Sequence, residues 1–263
     1  MKKVYLLVLI SAAGIFFYSQ YIKKTRKPQK EIKNSIEKKT EKEESGGRKI
    51  QDKNFTVYIP DLNNEEIKMY WKDKNNEAYS ELSKFISENS KNKVNFATNG
   101  GIYSINYKPE GLYIENYQIL SEINLRNGEG NFYMKPNGIF YIKDGQPKIS
   151  VSEKFKHTKD ISYAVQSGPV LIKNGVINSK TGKDSKSLKI RSAVGIDRDN
   201  KVFFLMSSEK INFYNFSKYA LDNLNCKDLL FLDGTISKMY FADEKNIPVQ
   251  EVPFVVIITS EKK

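Results

Sequence analysis

Arg191–Ser207 reads RSAVGIDRDNKVFFLMS, and its two apolar halves decide what kind of chain this is. Ala193–Asp197 and Val202–Ser207 are too short for an average helix, and their β-branched and aromatic side chains suit a pleated, buried surface. Between them lies Asp197-Arg198-Asp199-Asn200, where Asn can turn the backbone through positive φ. Working outward, the same unit recurs. Phe55–Ile59, Ile67–Trp71, Lys93–Thr98, Gly111–Glu115, Asn131–Met134, Gly138–Ile142, Ala164–Ile172, Leu229–Leu232 and Phe254–Thr259 are expected strands, with turn chemistry at Lys143-Asp144-Gly145 and Lys173-Asn174-Gly175. Helical spacing of apolar residues occurs twice. Glu77–Ser90 places Ala78, Leu82, Phe85 and Ile86 on one face, and Phe213–Leu224 does the same with Phe213, Phe216, Ala220 and Leu224. The expected fold is α+β: a strand-rich mixed sheet core with two or more packed helices, forming one globular domain over residues 54–263.

The chain ahead of that domain has a different composition. Val4–Ile22 is an uncharged run of 19 residues, close to the ~20 that a membrane-crossing helix needs. It has no lipid-accepting Cys and no small-x-small cleavage site before Lys23, so a signal-anchor is expected in preference to a cleaved signal peptide. Residues 23–53 are rich in Lys and Glu, with Ile32, Ile36 and Ile50 as the large apolar residues, and read as a charged, flexible tether. These readings imply a chain held at a membrane through residues 4–22, with its domain on the extracytoplasmic face.

Charge and rare residues narrow the chemistry. The net charge is +12, but residues 54–263 carry only +4 of it. A nucleic-acid binder concentrates cations on its folded surface, so no nucleic-acid partner is expected. One His (His157) and one Cys (Cys226) allow neither an internal disulfide nor a His/Cys zinc cluster, and His157 lies in the polar stretch KFKHTKD. Gly175 and Gly182-Lys183 are separated by six residues where a phosphate loop has four, and Asp184 stands where Ser or Thr would hold magnesium. No cofactor is required by the sequence. A divalent cation near Asp233 is compatible with it, though no ligand spacing demands one. The oligomeric state is not legible.

Four polar clusters stand at the ends of apolar runs. Asn99-Gly100-Gly101 follows FAT, and its glycines suit either an anion-binding backbone nest or a tight turn. Gln166-Ser167-Gly168-Pro169 interrupts Ala164–Ile172, which costs stability unless these residues serve a bulge or face a ligand. Arg191 precedes a buried-looking strand and offers a planar fork to phosphate or carboxylate, or to a surface ion pair. In LLFL-Asp233-Gly234-Thr235-Ile236-Ser237, an acid ends a buried strand, where it can act in catalysis or cap the next turn.

Taken in order, Asn99-Gly100-Gly101, Ser167-Gly168-Pro169 with Asn174-Gly175, Arg191-Ser192-Ala193-Val194-Gly195 and Leu232-Asp233-Gly234 resemble the phosphodiester glycosidase domain, the family of the mannose 6-phosphate uncovering enzyme. FATNGGIY at Phe96–Tyr103, PEGLYIE at Pro109–Glu115, GNFYMKPNGIF at Gly130–Phe140 and Asn212-Phe213 are similar to its bacterial branch. The sequence departs from the family at Thr235-Ile236, where two glycines are usual, at Lys189-Ile190 before the Arg, and at Gly100, where the bacterial branch commonly has Ala. The resemblance implies an α+β hydrolase that frees a sugar from a sugar-1-phosphodiester and leaves a phosphomonoester. On that basis Asp233 is expected to be base or nucleophile, with Glu115 and Glu209 as second carboxylates. Arg191 with Asn99, Gly100 and Gly101 would cradle phosphate, while Gln166, Ser167, Gly168, Gly234, Thr235 and Ser237 would contact substrate. The alternative is a non-catalytic tethered module that binds a phosphate-containing glycan polymer.

Overall fold

In a computed structural model, residues 46–89, 93–104, 106–234, 236–244 and 255–263 are described. The expected membrane segment and most of the tether lie outside them. Among the described residues no helix is long and apolar enough to cross a membrane.

Three sheets make up the fold, and every named strand pair in them is antiparallel, which corrects the expectation of a mixed sheet. The physical reason is connectivity. Parallel neighbours need a crossover of a dozen or more residues, usually helical, whereas many of these strands are joined by short turns. The seven-stranded sheet runs in the order β1 (Arg48–Gln51), β2 (Phe55–Ile59), β13 (Val202–Ser207), β12 (Ser192–Asp197), β14 (Cys226–Asp233), β10 (Val170–Lys173) and β11 (Val176–Ile177). The four-stranded sheet runs β15 (Met239–Phe241), β4 (Val94–Gly100), β16 (Val256–Lys262), β3 (Glu65–Tyr70). The five-stranded sheet runs β6 (Gln118–Ser121), β5 (Tyr113–Glu115), β9 (Ile161–Ser167), β7 (Gly138–Lys143), β8 (Gln146–Val151). Strand β1 lies within the stretch read as tether: Arg48 pairs with Ile59 and Gln51 with Thr56, so paired structure begins ahead of residue 54.

The sheets share one core. Phe204 of β13 meets Phe96 of β4 at 5.0 Å and Phe140 of β7 at 6.1 Å between ring centroids, so one side chain touches all three. Strand β14 is buried on both faces, which explains its unbroken apolar run. Leu230 and Leu232 face this central core, while Leu229 and Phe231 face a second one. Helix α2 (Phe213–Leu224) covers that second core with Phe213, Phe216 and Ala220. Its start is capped by Asn212, whose side chain accepts from Asn215 N at 2.9 Å, and its end by Asn225 at φ 50°.

Three further expectations change. Helix α1 is only Leu82–Glu88, because Ala78 bridges to Lys72 and Tyr79 N donates to Trp71 O, which holds the preceding residues extended. Asn131–Met134 is a turn, with Met134 N bonded to Asn131 O, and not a strand. Ala164–Ile172 is two strands. β9 ends at Ser167 in the five-stranded sheet, the chain crosses the cis Gly168-Pro169 bond, and β10 begins at Val170 in the seven-stranded sheet.

Candidate functional site

The antiparallel register brings the site together. Ser192, the first residue of β12, is opposite Asp233, the last of β14, so Arg191 arrives beside the turn that Asp233 opens. Asp233 holds that turn, its Oδ1 accepting from Ile236 N at 2.9 Å. Ser237 Oγ closes it with bonds to Asp233 O at 3.0 Å and Ser192 Oγ at 3.1 Å. The turn is fastened to the four-stranded sheet at its far end, where Lys238 N donates to Asn99 Oδ1 at 3.0 Å and Thr98 Oγ1 donates to Lys238 O at 2.8 Å. Three polar ends of apolar strands, Asn99, Arg191 and Asp233, are thus drawn to one turn. Thr235 lies outside the described residues.

Two donors at this turn are unspent. Arg191 is 1% exposed. Its Nε donates to Ile211 O at 2.7 Å and its Nη2 to Ser187 O at 2.8 Å, while its plane stacks 3.7 Å from the centre of the Phe213 ring. Its Nη1 is buried with no hydrogen-bond partner among the described residues. Burial lowers its pKa to about 10, which leaves it a desolvated cation at neutral pH. Asn99, also 1% exposed, has its Nδ2 in the same condition. A buried donor left unmade costs about 1–3 kcal/mol, a cost that a bound anion would remove. Glycine at 234 keeps the approach open: a Cβ there would stand 3.6 Å from Arg191 Nη1.

A cavity of about 340 Å³ opens on this turn. Asp233 and Gly234 form one wall, Ile102, Phe132 and Phe231 give it apolar surface, and Glu110, Glu129, Asn131 and Tyr133 complete the rim. Such a mixture, apolar surface with a few converging polar groups, is what a small-ligand site requires.

The remaining sequence candidates are elsewhere or otherwise engaged. Gln166 has no amide atom to spare. Its Oε1 accepts from Leu112 N and Asn124 N, both at 2.9 Å, and its Nε2 donates to Asn124 O at 2.7 Å and Ser152 Oγ at 3.2 Å. Ser167 Oγ reaches Leu232 O at 3.4 Å, behind the site. Gly168 is a packing glycine, since a Cβ there would come within 2.7 Å of Phe132 O. Gly100 admits Ile258, which a Cβ would meet at 2.5 Å, and Gly101 turns the chain at φ +75° against Val165. The glycine pair therefore permits close approach and a turn. Glu115 belongs to a separate group, accepting from Tyr113 Oη at 2.6 Å and Trp71 N at 3.3 Å, and burial raises its pKa. Glu209 is exposed between β13 and α2. Neither lines the cavity.

Among the residues not singled out individually from the sequence are Glu110 and Tyr133, although both sit in segments that carried the family resemblance. Tyr133 Oη donates to Glu110 Oε1 at 2.5 Å, and Asn124 Nδ2 donates to Glu110 O at 2.9 Å. A carboxylate, a phenol and an amide brought together from loops leave no periodic trace. Among the described residues no group of three or more His, Cys, Asp or Glu could hold a metal ion.

The phosphodiester glycosidase family model matches residues 92–259, a span that contains Asn99, Glu110, Arg191 and Asp233. The uncharacterized protein YigE of Escherichia coli (strain K12) is 44% identical over 217 residues, covering 81% of this chain and 85% of that protein. Among solved structures, the catalytic domain of zebrafish N-acetylglucosamine-1-phosphodiester alpha-N-acetylglucosaminidase, auto-inhibited by its pro-peptide, superposes with a TM-score of 0.57 at 12% identity, over 82% of each chain. A hypothetical protein from Synechocystis superposes with a TM-score of 0.52 at 12% identity, over 82% of this chain and 61% of its own. At such identities the structural likeness is one of fold.

Proposed function

This chain belongs to the phosphodiester glycosidase family, and from that premise we propose that it hydrolyses a sugar-1-phosphodiester, releasing the sugar and leaving a phosphomonoester. The observation that carries the reading is the pair of unspent buried donors, Arg191 Nη1 and Asn99 Nδ2, on either side of the turn that presents Asp233 to the cavity. Cleavage breaks the bond from the anomeric carbon to the phosphate oxygen, whose electron pair stays with the phosphate while the carbon becomes oxocarbenium-like. Arg191 and Asn99, already desolvated, hold the phosphate as it gains charge. Asp233 balances the positive charge at the sugar carbon.

A carboxylate this near a phosphate is costly unless the two act on opposite partners. Like charges 4 Å apart repel by about 4 kcal/mol at an effective dielectric of about 20. Arg191 offsets that repulsion on the phosphate side. The sugar supplies the opposite charge for Asp233 only as the bond breaks, which makes the arrangement complementary to the transition state. The setting we propose is extracytoplasmic, with residues 4–22 as the membrane anchor.

The test is sugar release by the full-length protein from a panel of sugar-1-phosphodiesters, including N-acetylglucosamine joined to a nitrophenyl phosphate, with and without EDTA. Wild-type turnover that falls about 10²–10³-fold or more in Asp233→Asn, with the protein still folded, supports the hydrolase. Undiminished turnover in Asp233→Asn, or no turnover on any member of the panel, would overturn the assignment.

A further inference from the structure

We propose that Glu110 is the second catalytic carboxylate of this cavity, the base that takes the proton of the attacking water, with Tyr133 as the residue that positions it. The proposal rests on the hydrolase reading above. Glycoside hydrolysis commonly divides its work between two carboxylates, one near the developing charge and one that handles the water.

Three carboxylates line the cavity: Asp233, Glu110 and Glu129. Glu129 is exposed, and no side chain among the described residues holds it. Glu110 is held by two. Tyr133 Oη, itself on the cavity wall, bonds its Oε1 at 2.5 Å, and Asn124 Nδ2 stands 3.5 Å from the same oxygen while bonding the Glu110 carbonyl at 2.9 Å. Glu110 N is fixed in turn by a bond to Ile102 O at 3.0 Å. With Oε1 engaged, Oε2 accepts from no described residue and is the oxygen available to water. The cavity is marked as a ligand site independently of its acids. Arg191 Nη1, buried and without a hydrogen-bond partner among the described residues, lies 3.6 Å from where a Cβ on Gly234, which lines it, would stand.

In the step assigned to it, the water oxygen bonds to the anomeric carbon, the carbon–oxygen bond to phosphate breaks, and its electron pair leaves on the phosphate. The proton of the water passes to Glu110, which returns it to solvent after the products leave. Asp233 remains ionised throughout. Tyr133 touches neither substrate nor water in this scheme and acts through Glu110.

The experiment is steady-state kinetics of full-length Glu110→Gln, Glu110→Ala, Tyr133→Phe and Asp233→Asn on whichever sugar-1-phosphodiester the wild type turns over. Glu110→Gln is expected to lower kcat about 10²–10⁴-fold with KM within about threefold, and to lose the acid limb of the kcat–pH profile. Added formate should restore Glu110→Ala at least tenfold, which a misfolded variant could not show. Tyr133→Phe should lower kcat about tenfold and leave KM unchanged. Glu110→Gln keeping a third or more of wild-type kcat while Asp233→Asn is inactive overturns the role of Glu110 and leaves the hydrolase standing. Inactive Gln and Ala variants with no formate rescue reduce Glu110 to a structural tie between Tyr133 and Asn124, and also overturn it. A wild type inactive on the whole panel removes both assignments.

Discussion

Gln166, the penultimate residue of β9, and Arg191, just ahead of β12, are each 1% exposed, and each ends in a planar, multiply hydrogen-bonding group. They differ in what those groups have left. All of the bonds at Gln166 are internal, two accepted and two donated, and tie the Leu112 and Asn124 segments to β9. Arg191 spends Nε and Nη2 on two carbonyls and keeps Nη1 unmatched. The same polarity that stabilises when saturated becomes a stored affinity when one donor is withheld. Burial by itself thus does not point to a ligand, whereas a buried donor left unmet is one that a ligand could satisfy.

Arg191→Met offers the largest effect with which to break this comparison. It removes the charge and Nη1 together while retaining an apolar stem over Phe213. Loss of one oxyanion-holding donor costs about 10²–10³-fold in kcat, and with the charge gone kcat/KM on the active sugar-1-phosphodiester is expected to fall about 10³-fold. A decline of less than tenfold would show that the unmet donor is an accident of packing. Gln166→Leu should do the reverse. It strands Leu112 N, Asn124 N, Asn124 O and Ser152 Oγ, so urea unfolding is expected to show a loss of about 3 kcal/mol. Activity of the folded fraction should remain within tenfold. Unchanged stability, with activity lost, would place Gln166 at the substrate after all.

The same distinction explains what could be read from the sequence. β2, β13 and α2 fall on the expected residues, because each is a local pattern whose period needs no partner to be recognised. Ala164–Ile172 looked like one strand because both halves are apolar, yet the halves are buried in different sheets, a fact that no local period encodes. β6 and β8 were passed over as edge strands with exposed or polar faces, and Pro147 further weakens the signal of β8. In the candidate site, Asn99, Arg191 and Asp233 stand out in the sequence because each is a polar residue at the end of an apolar run. Which donor each keeps was not, since that depends on Ile211, Ser187 and Lys238 arriving from elsewhere in the chain. Glu110 and Tyr133, 23 residues apart on irregular backbone, left still less to read.

A pH series sharpens the comparison with the smallest effect. Desolvation lowers the Arg191 pKa to about 10 in the ligand-free protein. A phosphate bound at Nη1 favours the charged guanidinium, so the bound form holds its proton more tightly than the free form. Affinity is therefore full below about 10 and is lost as pH rises through that value. Inorganic phosphate, the probe, keeps its own charge between pH 8.5 and 10.5, so a change in that window belongs to the protein. Followed by thermal shift or calorimetry, phosphate affinity should weaken about fourfold across it, as half a unit above a titration requires. What binding remains in Arg191→Met should show no such decline, and Gln166→Leu, whose amide does not titrate, should show it undiminished. A flat profile in the wild type would mean that the guanidinium is better solvated than its two carbonyl partners and the Phe213 ring imply, and that the phosphate is held chiefly by Asn99.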